Sequence, residues 1–107
     1  MKNKLDNLTP KLLGEIGVDT GMVWIGDPCN IGDAQELLHK FWSDKVSGSK
    51  MYKSFNYKHG SEGLGVCTTT KDGDGTFNVI GFFEHDSDTP SCVIIDFDEI
   101  FNDIIDK

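Results

Sequence analysis

Two runs of β-branched and aromatic residues, separated by a short glycine-rich turn, most constrain the fold of this chain. The runs are GVCTTT at 65–70 and TFNVIGFFE at 76–84, and KDGDG lies between them. Asp and Gly tolerate the positive φ angles of tight turns, and apolar runs on either side of such a turn are typical of strands. We therefore predict an antiparallel hairpin of strands 64–70 and 76–84 that turns at Asp72–Gly75.

The same turn also has features of a calcium-binding EF-hand loop, in TKDGDGTF at 70–77. An EF-hand requires a carboxylate at loop position 1 and a bidentate Glu at position 12, because calcium takes six to eight oxygen ligands. Those two positions hold Thr70 and Gly81, which leaves Asp72 and Asp74 as the strong ligands. The flanking residues also lack helical periodicity. We therefore predict a hairpin here and no metal site.

Residues 33–46 have the periodicity of an amphipathic helix. Asp33 and Glu36 fit a capping box, in which an acceptor is followed three residues later by Glu. The apolar residues recur at intervals that place them on one helical face, and they are Ala34, Leu37, Leu38, Phe41 and Trp42. We expect the helix to end at VSGSK, residues 46–50.

Further apolar or alternating segments, each bounded by turn residues, are typical of strands. They are residues 14–18, 22–25, 51–57 and 91–97, and a closing apolar stripe of Ile100, Phe101, Ile104 and Ile105 indicates a short helix. The fold class that follows is α+β: a mostly antiparallel β-sheet, arranged as a sandwich or open barrel, with one packed amphipathic helix and a short C-terminal helix. We expect a single domain over 1–107, in which residues 1–13 are loosely ordered.

The cysteine pattern and the N-terminal sequence indicate a reducing compartment. Cys29, Cys67 and Cys92 are odd in number, far apart and free of any CxxC pair, so neither a disulfide framework nor a zinc site is expected. MKNKLDNLTPKLLGE lacks the apolar region of a secretory signal, and no apolar run is long enough to span a bilayer. We therefore expect a cytoplasmic protein without a cofactor.

The charge distribution is uneven along the chain. The net charge of −8 argues against generic nucleic-acid binding, which requires neutralisation of many phosphates. Residues 39–59, however, contain five lysines and one carboxylate, a formal charge of +4, which leaves −12 for the remainder. No arginine is present, so no guanidinium can form a bidentate clamp.

Aromatic residues alternate with lysines in the same basic segment, which is the pairing that a flat anionic ligand requires. Glycines and threonines that follow could admit and hydrogen-bond such a ligand. The candidate ligand-binding residues are Lys50, Tyr52, Lys53, Tyr57, Lys58, His59 and Thr69. The alternative is that aromatics such as Phe41, Trp42 and Phe55 belong to the core and the lysines keep the surface soluble.

Catalytic candidates are less well supported by local spacing. Cys29 follows Asp27-Pro28 in a turn, but no neighbouring base or third group completes a nucleophilic set. A metal-dependent hydrolase remains open, with His59, His85, Asp86 and Asp88 as its ligands. The acidic residues 96–106 fit the solvated face of a short helix, with partner binding as the other interpretation. We expect no catalytic residue and no bound metal.

Three motifs together resemble a known family. They are VDTGMVWIGDPC at 18–29, GLGVCTTT with the GDG-aromatic turn at Gly73–Phe77, and the closing IIDF at Ile94–Phe97. Over residues 14–97 the chain resembles a family of bacterial and bacteriophage β-rich domains of unknown function, although that family carries Tyr-Pro where this chain has Phe77 and Asn78. The resemblance implies a β-rich fold and a microbial or phage setting, hence the cytoplasm of a bacterial host cell. It assigns no catalytic residues.

From these patterns we expect a non-enzymatic binding protein, phage-encoded, that counteracts bacterial defence by sequestering a small anionic, nucleotide-like ligand. One alternative is an acidic protein-binding inhibitor or immunity-type protein, whose charge would attract a basic bacterial target. The other is the small metal-dependent hydrolase. The expected partners are therefore a small anionic ligand or a bacterial protein, with self-association into a homo-oligomer open and with no membrane or generic nucleic acid.

Overall fold

The computed structural model describes residues 4–46, 52–56 and 62–105. Within them one α-helix and six strands are found, with short 3-10 helices at Lys4–Asn7 and Pro28–Asn30. The strands are β1 (Thr9–Val18), β2 (Met22–Ile25), β3 (Tyr52–Asn56), β4 (Glu62–Thr69), β5 (Gly75–Phe83) and β6 (Pro90–Asp96), and the helix is α1 (Ile31–Val46).

The described strands form two three-stranded sheets, in the orders β1-β5-β6 and β2-β4-β3. The pairs β2 with β4, β3 with β4 and β5 with β6 are antiparallel. Neither sheet closes into a barrel, since each has two different edge strands. The predicted α+β class with mostly antiparallel strands and one packed helix is therefore confirmed.

The chain divides into two compact units, each with its own core. One unit comprises Met1–Gly17 and Gly75–Lys107, and the other comprises Val18–Asp74. In the first, Ile80, Phe82 and Ile105 are buried together, and residues of both terminal segments pack on them. In the second, α1 packs on its sheet, and the buried residues are Ala34, Phe41, Leu64 and Cys67.

The predicted 64–84 hairpin is wrong. Strands β4 and β5 occur close to the predicted positions, but β4 lies in one sheet and β5 in the other. A strand has two edges for hydrogen bonding, and both edges of β4 are occupied, by β2 and β3, while those of β5 are occupied by β1 and β6. The turn between them is closed by the Thr70 hydroxyl, which donates to the carbonyl of Gly73. The Thr70 N–H donates instead to the carbonyl of Gly21, next to β2, at 3.0 Å.

Three predicted boundaries also shift. Helix α1 begins at Ile31 rather than at an Asp33 cap, because a 3-10 turn precedes it, in which Asp27 Oδ1 accepts the Cys29 N–H at 3.0 Å. Strand β1 begins at Thr9, ahead of the predicted Gly14. The predicted C-terminal helix consists of hydrogen-bonded turns over residues 100–104.

A bulge in β4 lets Leu64 and Cys67, three residues apart, point into the same core. Leu64 and Cys67 both face α1, although side chains of a regular strand alternate between its faces. The alternation changes at Gly65, whose φ of +150° is open to glycine, and the β3–β4 register shifts beside it. The indole of Trp24 covers Gly65, so a side chain there would overlap it.

Candidate functional site

The predicted ligand-binding residues fall partly within the described strands. Lys50, Tyr57, Lys58 and His59 lie outside the described residues. Tyr52 and Lys53 begin β3, an edge strand of the β2-β4-β3 sheet, and Thr69 ends the central strand β4.

The strand register places Tyr52 on the opposite face of the sheet from positions 53 and 69. Tyr52 pairs with Thr68 and Lys53 pairs with Cys67, so positions 52 and 53 belong to opposite faces of the sheet. Thr69 lies two residues beyond Cys67 and therefore shares its face. The sheet does not bring Tyr52 together with Thr69 on one surface.

The face of the sheet that carries Cys67 is part of the core. Cys67 is buried against α1, and burial raises the pKa of its thiol to about 11, which keeps it protonated and unreactive near neutral pH. The Trp24 indole packs beside it, and its buried Nε1 has no hydrogen-bond partner among the described residues. The face of this sheet that α1 covers is therefore filled by core side chains.

The opposite face of the same sheet presents apolar side chains to solvent. Ile25 pairs directly with Val66, and these side chains are 52% and 44% exposed. Tyr52 follows on the neighbouring strand, opposite Thr68, and is 73% exposed. We call Ile25, Val66 and Tyr52 the apolar sheet surface. Val23 lies on the same face and pairs with Thr68, as Tyr52 does from the other side, but Val23 is buried.

Sequence reasoning included Tyr52 and missed Ile25 and Val66. The alternation that sets their face is present in MVWI and GVCTTT, but both strands carry apolar residues at consecutive positions. Those patterns do not show which face of the sheet α1 covers, so they cannot predict which of the alternating side chains are buried.

The catalytic and metal-binding candidates are not assembled among the described residues. His85 Nε2 lies 3.2 Å from Asp86 Oδ2, but both side chains are almost fully exposed in the turn after β5. Water and salt screen such a pair strongly. Within the described ranges, no group of three or more His, Cys, Asp or Glu residues is placed to hold a metal ion. His59 lies outside them.

The described residues thus define an α+β protein with one helix-covered sheet and an exposed apolar surface on the other side of that sheet. Comparisons with protein-family models, with curated proteins and with solved structures found no match. The resemblance to the bacterial and bacteriophage family therefore stays a prediction. No helix in the described part of the chain has the length and apolar character needed to cross a membrane.

Proposed function

We propose that this protein is a non-catalytic binding protein that acts on another protein through its apolar sheet surface. The observation that carries the proposal is that Ile25 and Val66 are directly paired and exposed, and that the exposed Tyr52 lies on the same face of the sheet, opposite Thr68 and therefore diagonal to Val66. Contiguous exposed apolar surface on a soluble domain commonly marks an interaction site. Tyrosine is also enriched among the residues that dominate binding energy.

The charge of the chain supports a basic target. Outside residues 39–59 the net charge is −12, and such a potential steers a cationic partner and raises its association rate. If the family resemblance holds, the partner is a bacterial protein and the chain is a phage-encoded inhibitor or an immunity-type protein that counteracts it.

Native mass spectrometry of the protein purified from bacterial cells tests this proposal. We expect a co-purifying protein mass that disappears in an Ile25→Ser, Val66→Ser, Tyr52→Ala variant. Ile31→Ser is the matched control, because Ile31 is also exposed but begins α1 instead of lying in the sheet. If the triple variant keeps the partner, or Ile31→Ser loses it equally, the apolar sheet surface is not the binding site.

A second candidate is the sequestration of a small anionic, nucleotide-like ligand, supported by the 73% exposure of the Tyr52 ring on an edge strand and by the five lysines of residues 39–59. An exposed ring can stack on a base, and an adjacent ammonium can neutralise phosphate. Thermal-shift screening of nucleotides and cyclic nucleotides tests it, because a ligand at about a hundred times its Kd adds roughly 2.7 kcal/mol of stability.

The variants for this screen follow from the basic segment. Tyr52→Ala, and separately the double variant Lys53→Ala, Tyr57→Ala, should lose the shift and keep their own melting temperatures. Lys40→Ala is the control, since Lys40 is an exposed lysine on α1. The shift should also weaken as salt is raised, because exposed charges are screened beyond roughly 8–10 Å at ordinary ionic strength. Absence of a shift with every nucleotide would remove this candidate.

A further inference from the structure

Residues 100–105, which follow β6, divide their four large apolar side chains between core and solvent. Phe101 packs edge-on against Phe82, with ring centroids 5.6 Å apart, and Ile105 is buried in the same cluster. Ile100 and Ile104 instead point outward and are 71% and 54% exposed. Burial of an isoleucine side chain stabilises a folded protein, so both residues forgo most of that stabilisation.

Hydrogen bonds hold this segment in place while its isoleucines stay exposed. The buried carboxylate of Asp96 accepts the N–H groups of Asp98, Ile100 and Phe101 at 3.2, 3.1 and 2.8 Å. Further along, Asn78 Nδ2 donates to Asn102 Oδ1 at 3.1 Å, which ties the segment to β5. The outward direction of Ile100 and Ile104 is therefore part of a fixed arrangement, which lowers the entropic cost of binding through them.

Exposed carboxylates flank the two exposed isoleucines in the sequence. Asp98, Glu99 and Asp103 are all exposed, and residues 97–105 contain no basic residue. These carboxylates, called here the acidic rim, all carry the same sign of charge next to exposed aliphatic side chains, and this combination determines which occupant fits. A second copy of the chain would bring like charges together, which is unfavourable, whereas Lys or Arg side chains would complement the rim.

We propose that Ile100 and Ile104, with their rim of Asp98, Glu99 and Asp103, form a docking surface for a cationic amphipathic segment of a partner protein. Aliphatic residues of that segment cover the two isoleucines, and its lysines or arginines meet the carboxylates. This C-terminal surface belongs to the unit Gly75–Lys107 with Met1–Gly17, whereas the apolar sheet surface belongs to Val18–Asp74. The two proposals therefore stand or fall separately.

The probe for this surface is a fluorescein-labelled peptide of Leu and Lys, about 18 residues long, with its leucines on one helical face. A peptide of the same spacing with Glu in place of Lys serves as the charge control. Fluorescence anisotropy should give a Kd below about 100 μM for the Leu/Lys peptide, a weak but specific range. The Leu/Glu peptide should not bind, and its binding at comparable strength would overturn the proposal.

Two sets of variants separate this surface from general attraction to an acidic protein. Ile100→Ser, Ile104→Ser should raise the Kd at least about tenfold, as expected for residues at the centre of an interface. Val93→Ser is the matched control, since Val93 is a half-exposed aliphatic residue paired with Gly81, away from the Ile80 and Phe82 face. It should stay within about twofold of the parent.

The second set of variants removes three carboxylates either from the C-terminal surface or from the turn before β6. Asp98→Asn, Glu99→Gln, Asp103→Asn should weaken binding and reduce its salt dependence more than Glu84→Gln, Asp86→Asn, Asp88→Asn, which removes the same charge from the turn before β6. Equal effects of the two sets would indicate non-specific attraction and overturn the proposal. So would an unchanged Kd in the double serine variant.

Methyl NMR provides a test without any variant. In parent protein labelled at the isoleucine δ1 methyl groups, the Leu/Lys peptide should shift Ile100 and Ile104 and leave the buried Ile80 unchanged. Shifts confined to Ile25 or other positions would place the contact elsewhere. Sedimentation that shows a dimer dependent on Ile100 and Ile104 would assign the surface to a second copy and refute the cationic partner.

Discussion

Replacing Asp96 by Asn perturbs the carboxylate that holds the C-terminal segment. Asp96 ends β6, is 5% exposed, and accepts backbone N–H groups with both oxygens: Oδ1 from Asp98 and Ile100, and Oδ2 from Phe101. Phe101 in turn packs against Phe82 in the core of this unit. The substitution preserves size and shape but removes the negative charge and one acceptor oxygen.

The ionised form of Asp96 is favoured in the folded protein. Burial is the largest single influence and raises the pKa of the carboxyl, but the N–H groups of Phe101, Ile100, Asp98 and Glu99 together outweigh it and lower the pKa below its usual value. The unfolded chain therefore binds this proton more readily than the folded chain does. Its contribution to stability is complete above the unfolded pKa of about 3.9 and is lost as the pH falls through the lower folded value.

The expected size of the effect follows from the hydrogen bonds. Asn retains one acceptor oxygen and turns an NH₂ group towards a backbone N–H, so at least one bond to a charged acceptor is lost at a cost of about 1.5–3 kcal/mol. A loss of about 2 kcal/mol corresponds to a fall in Tm of about 8–12 °C for a chain of this length.

Thermal and urea unfolding, followed by circular dichroism, should show this loss at pH 7. The difference between Asp96→Asn and the parent should shrink as the pH is lowered below about 4, because the carboxyl of the unfolded parent takes up a proton there before that of the folded parent. Asp103→Asn is the control, since Asp103 is an exposed carboxylate of the same segment. The reasoning is refuted if Asp96→Asn lies within about 0.5 kcal/mol of the parent at pH 7, which is the range of ordinary surface substitutions. A pH-independent difference would refute it equally.

Other positions provide sharp tests as well. Gly65→Ala should destabilise the protein by more than about 2 kcal/mol in urea unfolding, because φ is +150° and the new Cβ would lie 2.8 Å from the Ile25 carbonyl oxygen. Gly32→Ala, which meets nothing within 4 Å in α1, should instead be neutral or stabilising, and the opposite order would contradict this account. Iodoacetamide should label the exposed Cys29 well before Cys67, and mass spectrometry that finds Cys67 labelled first in native protein would disprove its protection. Calcium should give no heat in titration calorimetry, and a Kd below about 1 mM would mean that the 70–77 turn does bind it.

The sequence by itself determined the type and approximate position of most elements. Helix α1 is encoded in the spacing of its apolar residues, and Ala34 and Phe41 are buried as that spacing predicts. Strand β2 occupies the predicted residues 22–25, and β6 lies within one residue of the predicted 91–97. Such features are local. The spacing of apolar residues within a segment already decides whether a helix or a strand would gather them on one buried face.

Strand partnership was decided only by the tertiary structure. The DGDG turn favours a hairpin locally, yet β4 and β5 separate because each is the central strand of a different three-stranded sheet. Hydrogen bonding between strands depends on which edges meet in space, and segments distant in sequence compete for the same edge. The turn residues carry no information about that competition.

The candidate surfaces depended on tertiary structure for the same reason. The sequence predicts one apolar stripe of Ile100, Phe101, Ile104 and Ile105. In the structure, the carboxylate of Asp96 accepts the N–H groups of Ile100 and Phe101 and so fixes a turn there. In this turn Phe101 and Ile105 point into the core, whereas Ile100 and Ile104 point into solvent. Likewise, the exposure of Val66 follows from the position of α1 on the opposite face of its sheet. Local pattern states that a residue is apolar, whereas its exposure depends on which distant element packs over it.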